Sequence, residues 1–185
     1  MEIELLARQA GVILRNGFGR QHQIDYKGEI DLVTETDRQS EKFLLDEIQR
    51  RFPNDKIIAE ESGELPGDDD CAWYVDPLDG TVNFAHGIPI FSVSIAYAVN
   101  GNLSIGVVYD PIQDECFSAE KGKGAWLNDD PIRVSNAQTL VQSLLVTGFP
   151  YDIRTNHRNN LNLHNAFILQ IYTHRGRGTQ TARPL

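Results

Sequence analysis

Basic residues, cysteines and long apolar runs are scarce in this 185-residue sequence. There are 17 Lys and Arg against 26 Asp and Glu, which argues against a nucleic acid or an anionic membrane as the main partner. Two cysteines, Cys71 and Cys116, have no metal-type or disulfide-framework spacing and indicate reduced thiols of a cytoplasmic protein. No run approaches the roughly 20 apolar residues of a membrane span, and the N-terminus lacks signal-peptide features. We therefore expect a soluble protein.

The apolar periodicity predicts an α+β layering. Residues 2–16 have helical spacing, and "TDRQSEKFLLDEIQRRFP" indicates a second helix with Thr36 or Asp37 as N-cap. Short strand-like runs follow, of which the clearest is a hairpin around Asn100-Gly101. The later elements predicted are strands at 115–119, 125–127 and 143–146, and a helix over 158–171.

Four carboxylates stand where extended segments are predicted to stop: Asp37, Glu60, Asp76 and Asp79. If sheet pairing brings these strand ends together, the carboxylates cannot all stay ionised unless cations lie among them. Hard oxygen ligands of this kind suit Mg²⁺, which keeps several waters and commonly bridges to substrate phosphates. The spacing therefore points to a magnesium site.

The residues after Asp79 favour an anionic ligand. Gly80 allows a close approach of the backbone, and a helical turn over 81–85 would direct free amides towards a phosphate. The Thr81 hydroxyl could orient a water. Cations, phosphate and a positioned water are the components of a metal-assisted phosphate ester hydrolase.

Taken singly, each feature has a simpler structural explanation. "DPLDG" is a common turn composition, and Asp37 alone is more often only a helix cap. Glu60-Glu61 would more often be a solvated edge. His86 follows the motif, but a lone histidine is more often structural.

Taken together, the motifs resemble the inositol monophosphatase family. "DPLDGTVNF", followed by "HGIPIFSVSIAYA", resembles its first signature, D-P-[IL]-D-G-T-x-N-[FY]. "IIAEES" is similar to its G-E-E-S element and "DLVTETD" to its D-[LF]-V-T-x-x-D element, while "GVVYDP" and "KGKGAWLND" match stretches that follow. The resemblance implies that residues 1–150 form the N-terminal domain of the inositol monophosphatase/fructose-1,6-bisphosphatase-like sugar phosphatase fold. In that domain two N-terminal helices pack on a mainly antiparallel sheet and hold metal and phosphate.

The resemblance also implies a metal-ligand set and an activity. Glu60, Asp76 and the carbonyl of Leu78 would hold a first Mg²⁺, and Asp76 and Asp79 would hold part of a second. The implied enzyme is a Mg²⁺-dependent phosphomonoesterase that hydrolyses inositol 1-phosphate, a small phosphorylated polyol.

The catalytic roles are implied in the same way. Asp37 and Thr81 would position and help to deprotonate the attacking water, with Glu60 assisting. Gly80, Thr81 and Asp79 would contact the phosphate.

Two further residues have weaker roles by the same resemblance. Lys27, four residues before Asp31, stands where the family often has a lysine near the site. Glu61 would support the metal ligands from behind.

The resemblance weakens after residue 150. The family's second signature, W-D-x-[AG]-[AG], is absent, since neither Trp73 nor Trp126 precedes an aspartate. "HRGRGTQTARPL" stands where R-x-x-G-[ST]-A-A-L-D is expected. We expect residues 151–185 to be the truncated start of a second α/β domain with an aberrant tail. The second metal site would then lack a carboxylate, and activity would be impaired.

Other functions remain open from the sequence. Relatives with this metal core act on fructose 1,6-bisphosphate, histidinol phosphate or phosphoadenosine nucleotides. A non-catalytic remnant could instead bind one metal or an RNA-polymerase-type partner. Full family members are often homodimers, and the same assembly is an open expectation here.

Overall fold

A computed structural model describes residues 2–19, 24–26, 32–149, 154–156 and 159–175. The chain divides into two units, Met1–Arg133 and Val134–Leu185. Each unit is described by itself.

Two helices begin the first unit and confirm the predicted pair. Helix α1 spans Glu2–Gly17 and helix α2 spans Glu35–Arg51. Between them, β1 (Ile24–Tyr26) and β2 (Leu32–Thr34) form a two-stranded antiparallel sheet. The chain passes directly from β2 into α2, so Thr36 and Asp37 lie in the first helical turn, and the prediction that one of them is the N-cap is wrong.

An eight-stranded sheet follows, and it confirms the predicted α+β class with a mainly antiparallel sheet. Its strand order is β10-β9-β8-β7-β6-β5-β3-β4, and every neighbouring pair is antiparallel except β3 and β5. A five-residue helix, α3 (Thr81–Ala85), lies between β5 and β6. The strands are β3 (Asp55–Ala59), β4 (Gly63–Leu65), β5 (Asp68–Asp79), β6 (Ser92–Val99), β7 (Asn102–Asp110), β8 (Glu115–Glu120), β9 (Gly124–Leu127) and β10 (Asp130–Ile132).

The predicted hairpin between β6 and β7 is present. Asn100 and Gly101 have φ values of 50° and 71°, the left-handed backbone that a tight two-residue turn requires. The turn pairs Val99 with Asn102 and starts the ladder, and an irregularity between Tyr97 and Ala98 then shifts the register by one residue.

The core lies between the helices and one face of this sheet. Alternate strand residues are buried, as expected for a sheet with one covered face. The buried apolar cluster includes Leu6, Leu14, Leu44, Ile48, Ile57, Val75, Leu78, Val93, Ile95 and Val107.

Helix α1 approaches β7 closely at Gly11. A Cβ at this position would collide with the ring of Tyr109 and lie 3.1 Å from the Cβ of Pro111. The ring cannot move aside easily, because it is buried and its hydroxyl donates a hydrogen bond of 2.8 Å to Asp114. The absence of a side chain at position 11 therefore sets the helix-to-sheet distance.

The second unit contains few regular elements among its described residues. A 3-10 helix spans Leu140–Gln142, and α4 spans Leu161–Arg175, which confirms the predicted last helix. The predicted strand at 143–146 is wrong. These residues form a loop in which Leu144 is 100% exposed, and the unit's described residues offer no strand for it to pair with. A search of the described helices finds none both long and apolar enough to span a bilayer.

We predict that Gly11→Ala destabilises the protein although alanine favours helix. Overpacking costs about 1–3 kcal/mol, whereas the gain in helix propensity is at most about 1 kcal/mol. Urea unfolding would measure the change.

Gly106→Ala is the matched control, because a Cβ there meets no atom within 4 Å. It should be neutral or slightly stabilising. Equal stability of the two variants would contradict the packing argument.

Candidate functional site

The carboxyl end of β5 contains a β-bulge. Asp76 pairs with Ser94 and Asp79 pairs with Ser92, so β5 has one residue more than β6 over this interval. Pro77 lies in this interval and has no N–H to give to the ladder. The N–H of Leu78 instead donates a hydrogen bond of 3.1 Å to the Asp76 carboxylate. The bulge thus shifts the side chains at the strand end out of simple alternation.

Parallel pairing places Glu60 beside this bulge. Ala59, the last residue of β3, pairs with Val75, and the N–H of Glu60 donates a hydrogen bond of 3.0 Å to the Val75 carbonyl. Parallel strands end at the same edge of a sheet, so Glu60 and Asp76 lie side by side. Asp79 is the last residue of β5, and its carboxylate accepts a long hydrogen bond of 3.5 Å from Ser92.

The Asp76 carboxyl group has a strongly perturbed pKa. Burial is the largest cause and raises the pKa from 3.8 to about 8, together with the charge of Glu60, a hydrogen bond with Glu60 and the charge of Asp79. The hydrogen bond from the Leu78 N–H acts in the opposite direction. The structure therefore brings three of the four predicted carboxylates into electrostatic contact.

The fourth carboxylate, Asp37, lies in the first turn of α2 and is 0% exposed. Ser40, one turn further along the same helix face, donates a hydrogen bond of 3.0 Å to the carbonyl of Pro77. The face of α2 that includes Asp37 is thus attached to the bulge.

The backbone turns sharply at Gly80, which precedes α3. Its φ of 91° and ψ of 33° are left-handed, and a Cβ there would lie 3.0 Å from the carbonyl oxygen of Ile90. Thr81 begins α3, and its hydroxyl donates a hydrogen bond of 3.0 Å to the carbonyl of Leu78. That carbonyl and the first amides of α3 therefore lie next to the acidic residues.

The donor chemistry at this strand end suits a hard divalent cation. Carboxylate oxygens and a backbone carbonyl are the ligands that Mg²⁺ prefers, and a cation would stabilise the charged form of Asp76 that burial and the neighbouring carboxylates disfavour. Within the described ranges, however, no three His, Cys, Asp or Glu side chains are arranged so that they could hold a metal ion as they stand. The residue types fit the ion, and the side chains would have to close around it.

The other residues considered from the sequence are Lys27, His86 and Glu61. Lys27 and Asp31 lie outside the described residues. His86 is exposed, and its Nδ1 lies 2.8 Å from the carbonyl of Val82, which is the contact of a structural residue at the end of α3. The backbone N–H of Glu61 donates to the Glu41 carboxylate.

Sequence reasoning missed Ser40 and Glu41. Both are buried on the face of α2 that also buries Leu44 and Ile48. Polar residues at core positions of an amphipathic helix need partners, and this mismatch between polarity and position was the available signal.

These observations place the chain among layered α+β proteins that have an acidic site at the carboxyl end of a parallel strand pair, next to a glycine turn. Over residues 2–178 the chain matches the sequence model of the inositol monophosphatase family. The chain belongs to this family.

Individual relatives and a solved structure agree. The chain is 46% identical over 145 residues to inositol monophosphatase 3 of Solanum lycopersicum, covering 76% of this chain and 54% of the relative. It is 47% identical over 148 residues to the Nus factor SuhB of Pasteurella multocida, covering 78% and 55%. The structure of inositol monophosphatase from Anabaena (Nostoc) sp. PCC 7120 is similar, with a TM-score of 0.75, 40% identity, and 89% and 60% coverage. The chain thus spans about half the length of the curated relatives it matches.

We predict that the metal-free protein loses stability as the pH rises from about 4 to about 8. A folded-state pKa raised from 3.8 to about 8 means that the folded protein binds the Asp76 proton more tightly than the unfolded chain. This stabilisation is complete below pH 4 and is lost as the pH approaches 8. Asp76→Asn should flatten the decline and be the more stable protein at pH 8.

Melting temperatures in EDTA across this pH range would test the prediction. Asp130→Asn, which changes an exposed aspartate of β10, is the control and should follow the wild type. Parallel curves for wild type and Asp76→Asn would contradict the prediction.

Proposed function

We propose that this chain contains the metal- and phosphate-binding part of a Mg²⁺-dependent phosphomonoesterase whose substrate is an inositol monophosphate. The observation that carries the proposal is the contact among Glu60, Asp76 and Asp79 at a bulged strand end. Family membership and relatives named inositol monophosphatase support the substrate class. Cytoplasmic location and a homodimeric state are part of the same proposal.

The proposed Mg²⁺ ligands are Glu60, Asp76, Asp79 and the carbonyl of Leu78. A bound Mg²⁺ would neutralise negative charge on the phosphate and on the departing oxygen. The Leu78 carbonyl already accepts one hydrogen bond from Thr81, and its second lone pair is suited to a cation.

The chain's own groups would orient the reactants. The backbone amides of Gly80 and Thr81 donate hydrogen bonds to a phosphate oxygen at the start of α3. The Thr81 hydroxyl gives its hydrogen to Leu78, so its lone pairs can accept a hydrogen bond from the attacking water. Asp37, buried at the start of α2, is the proposed acceptor of the proton that this water loses.

The domain arrangement is also a proposal. Residues 1–150 would form the site-bearing α+β domain, and residues 151–185 would begin the second. Substrate selection among related phosphates would depend on residues that longer relatives have in their remaining half.

A second candidate is a binding module without catalysis. The similarity to a relative named Nus factor SuhB favours it, since that name denotes a factor rather than a hydrolase. In this case the fold and a cation site would be retained without turnover.

We predict that the 185-residue protein releases phosphate from inositol 1-phosphate only when Mg²⁺ is present, and that Asp76→Asn lowers the rate by about 10²-fold or more. The asparagine removes a charge that the proposed cation needs. Phosphate release under saturating Mg²⁺ is the measurement, with Asp130→Asn as the matched control.

We also predict that Mg²⁺ stabilises the folded protein. A ligand at one hundred times its Kd adds about 2.7 kcal/mol, which would raise the Tm by roughly 5–10 °C for a chain of this size. Asp76→Asn should lose most of this increase, whereas Asp130→Asn should keep it.

The two measurements separate the candidates. Stabilisation without turnover favours the binding module. The absence of both effects in the wild-type protein would contradict both candidates.

A further inference from the structure

Glu41 is a buried carboxylate that contacts the loop next to the acidic site. Its side chain is on α2 and only 4% exposed. The backbone N–H groups of Glu61 and Ser62 donate to its Oε2 at 3.0 and 3.4 Å, and the hydroxyl of Ser62 donates to its Oε1. One carboxylate thus accepts three hydrogen bonds from two consecutive residues.

Burying the Glu41 carboxylate costs stability, and this cost indicates a role other than stabilising the fold. A carboxylate removed from water must recover its hydration energy from fixed partners, whereas Leu44 and Ile48 fill the same helix face without that cost. The turn itself does not need a helix to close it. Ala59 pairs with Gly63 across it, and the φ of Gly63, 74°, already suits a tight turn.

The residue that this turn presents is Glu60. On one side, its own N–H is bound by the carbonyl of Val75 in β5. On the other side, the next two N–H groups are bound by Glu41. The backbone of Glu60 is therefore fixed between β5 and α2, and its side chain lies against Asp76.

The neighbouring residue on α2 makes an equivalent contact with the other half of the site. Ser40 donates to the carbonyl of Pro77, inside the bulge between Asp76 and Asp79. Adjacent residues of one helical turn thus hold both backbone segments that carry the acidic side chains.

We propose that Glu41 is a positioning residue that holds the turn at residues 60–62, and so keeps Glu60 opposite Asp76 in the arrangement that a divalent cation requires. The proposal rests on the proposed function, because it concerns the same cation site. Glu41 does not touch the cation. It acts through the backbone on either side of Glu60, as outer partners of metal ligands do.

The test compares Mg²⁺ binding by variants of the full 185-residue chain in titration calorimetry. Glu41→Met keeps the side-chain length and removes all three acceptors. Glu41→Gln keeps the shape, since its amide oxygen can accept the N–H of Glu61 and its amide NH₂ can donate to the Ser62 hydroxyl. Glu47→Gln is the control on the same helix, because Glu47 makes ion pairs with Arg50 and Arg51 instead.

We expect Glu41→Met to weaken Mg²⁺ binding by roughly 10–100-fold, the usual effect of losing an outer partner of a metal ligand. Glu41→Gln should stay close to the wild type, and Glu47→Gln should match it. Amide hydrogen exchange in metal-free protein should be faster at Glu61 and Ser62 in Glu41→Met only.

Several results would overturn the proposal. One is a folded Glu41→Met protein that binds Mg²⁺ as tightly as the wild type. Another is a Glu41→Gln protein that binds Mg²⁺ as weakly as Glu41→Met, because the loss of affinity would then come from the missing charge and not from the position of Glu60. If Glu41→Met does not fold, Ser62→Ala, which removes one of the three donors to Glu41, is measured instead. A Ser62→Ala protein with wild-type Mg²⁺ affinity and wild-type amide exchange would overturn the proposal.

The proposed function fails separately. A wild-type protein that binds no Mg²⁺ contradicts the cation site and this inference with it. A wild type that binds Mg²⁺ alongside an insensitive Glu41→Met contradicts only the positioning role.

Discussion

The repulsion between two carboxylates at the ends of adjacent parallel strands is the constraint on which this structure depends. Glu60 directly follows β3 and lies beside Asp76 near the end of β5, and Asp76 is partly buried, so water screens its charge poorly. A fold that only needed stability would avoid this pairing, because apolar residues would fill the same space without cost. Three features of the surrounding backbone support this pairing of carboxylates. They are the bulge at Pro77, the left-handed turn at Gly80 and the hydrogen bonds from α2.

Much of the fold was predictable because its signals are local. The two N-terminal helices follow from apolar residues every three to four positions, and the β6–β7 hairpin follows from Asn100-Gly101. The parallel pairing of β3 with β5 was not predictable in this way. It depends on contacts between segments separated by a turn and another strand, and single-sequence periodicity contains no information about register. The strand predicted at 143–146 failed for a related reason, since β-propensity is realised only when a partner strand is available.

The residues of the site also differ in whether local sequence signals could predict their positions. Asp76, Asp79 and Gly80 belong to one motif, so their proximity could be inferred from spacing and from the family resemblance. The position of Glu60 beside these residues could be inferred only with knowledge of the parallel pairing of β3 with β5. Ser40 and Glu41 could not be inferred, because most of their partners are backbone groups, which have no signature in the sequence. The only trace was polarity at positions where the helical period demands apolar residues.

Helix α2 has two tasks on one face, and they conflict. Its second half buries Leu44 and Ile48 in the core, where volume and shape decide stability. Its first half buries Asp37, Ser40 and Glu41, which add little apolar area and cost desolvation energy. Because both halves belong to one rigid element, good packing of the apolar half fixes the position of the polar half against the bulge. The core thus provides the rigidity that a site built on scattered backbone contacts could not provide for itself, at a cost in stability of the kind expected where function constrains a fold.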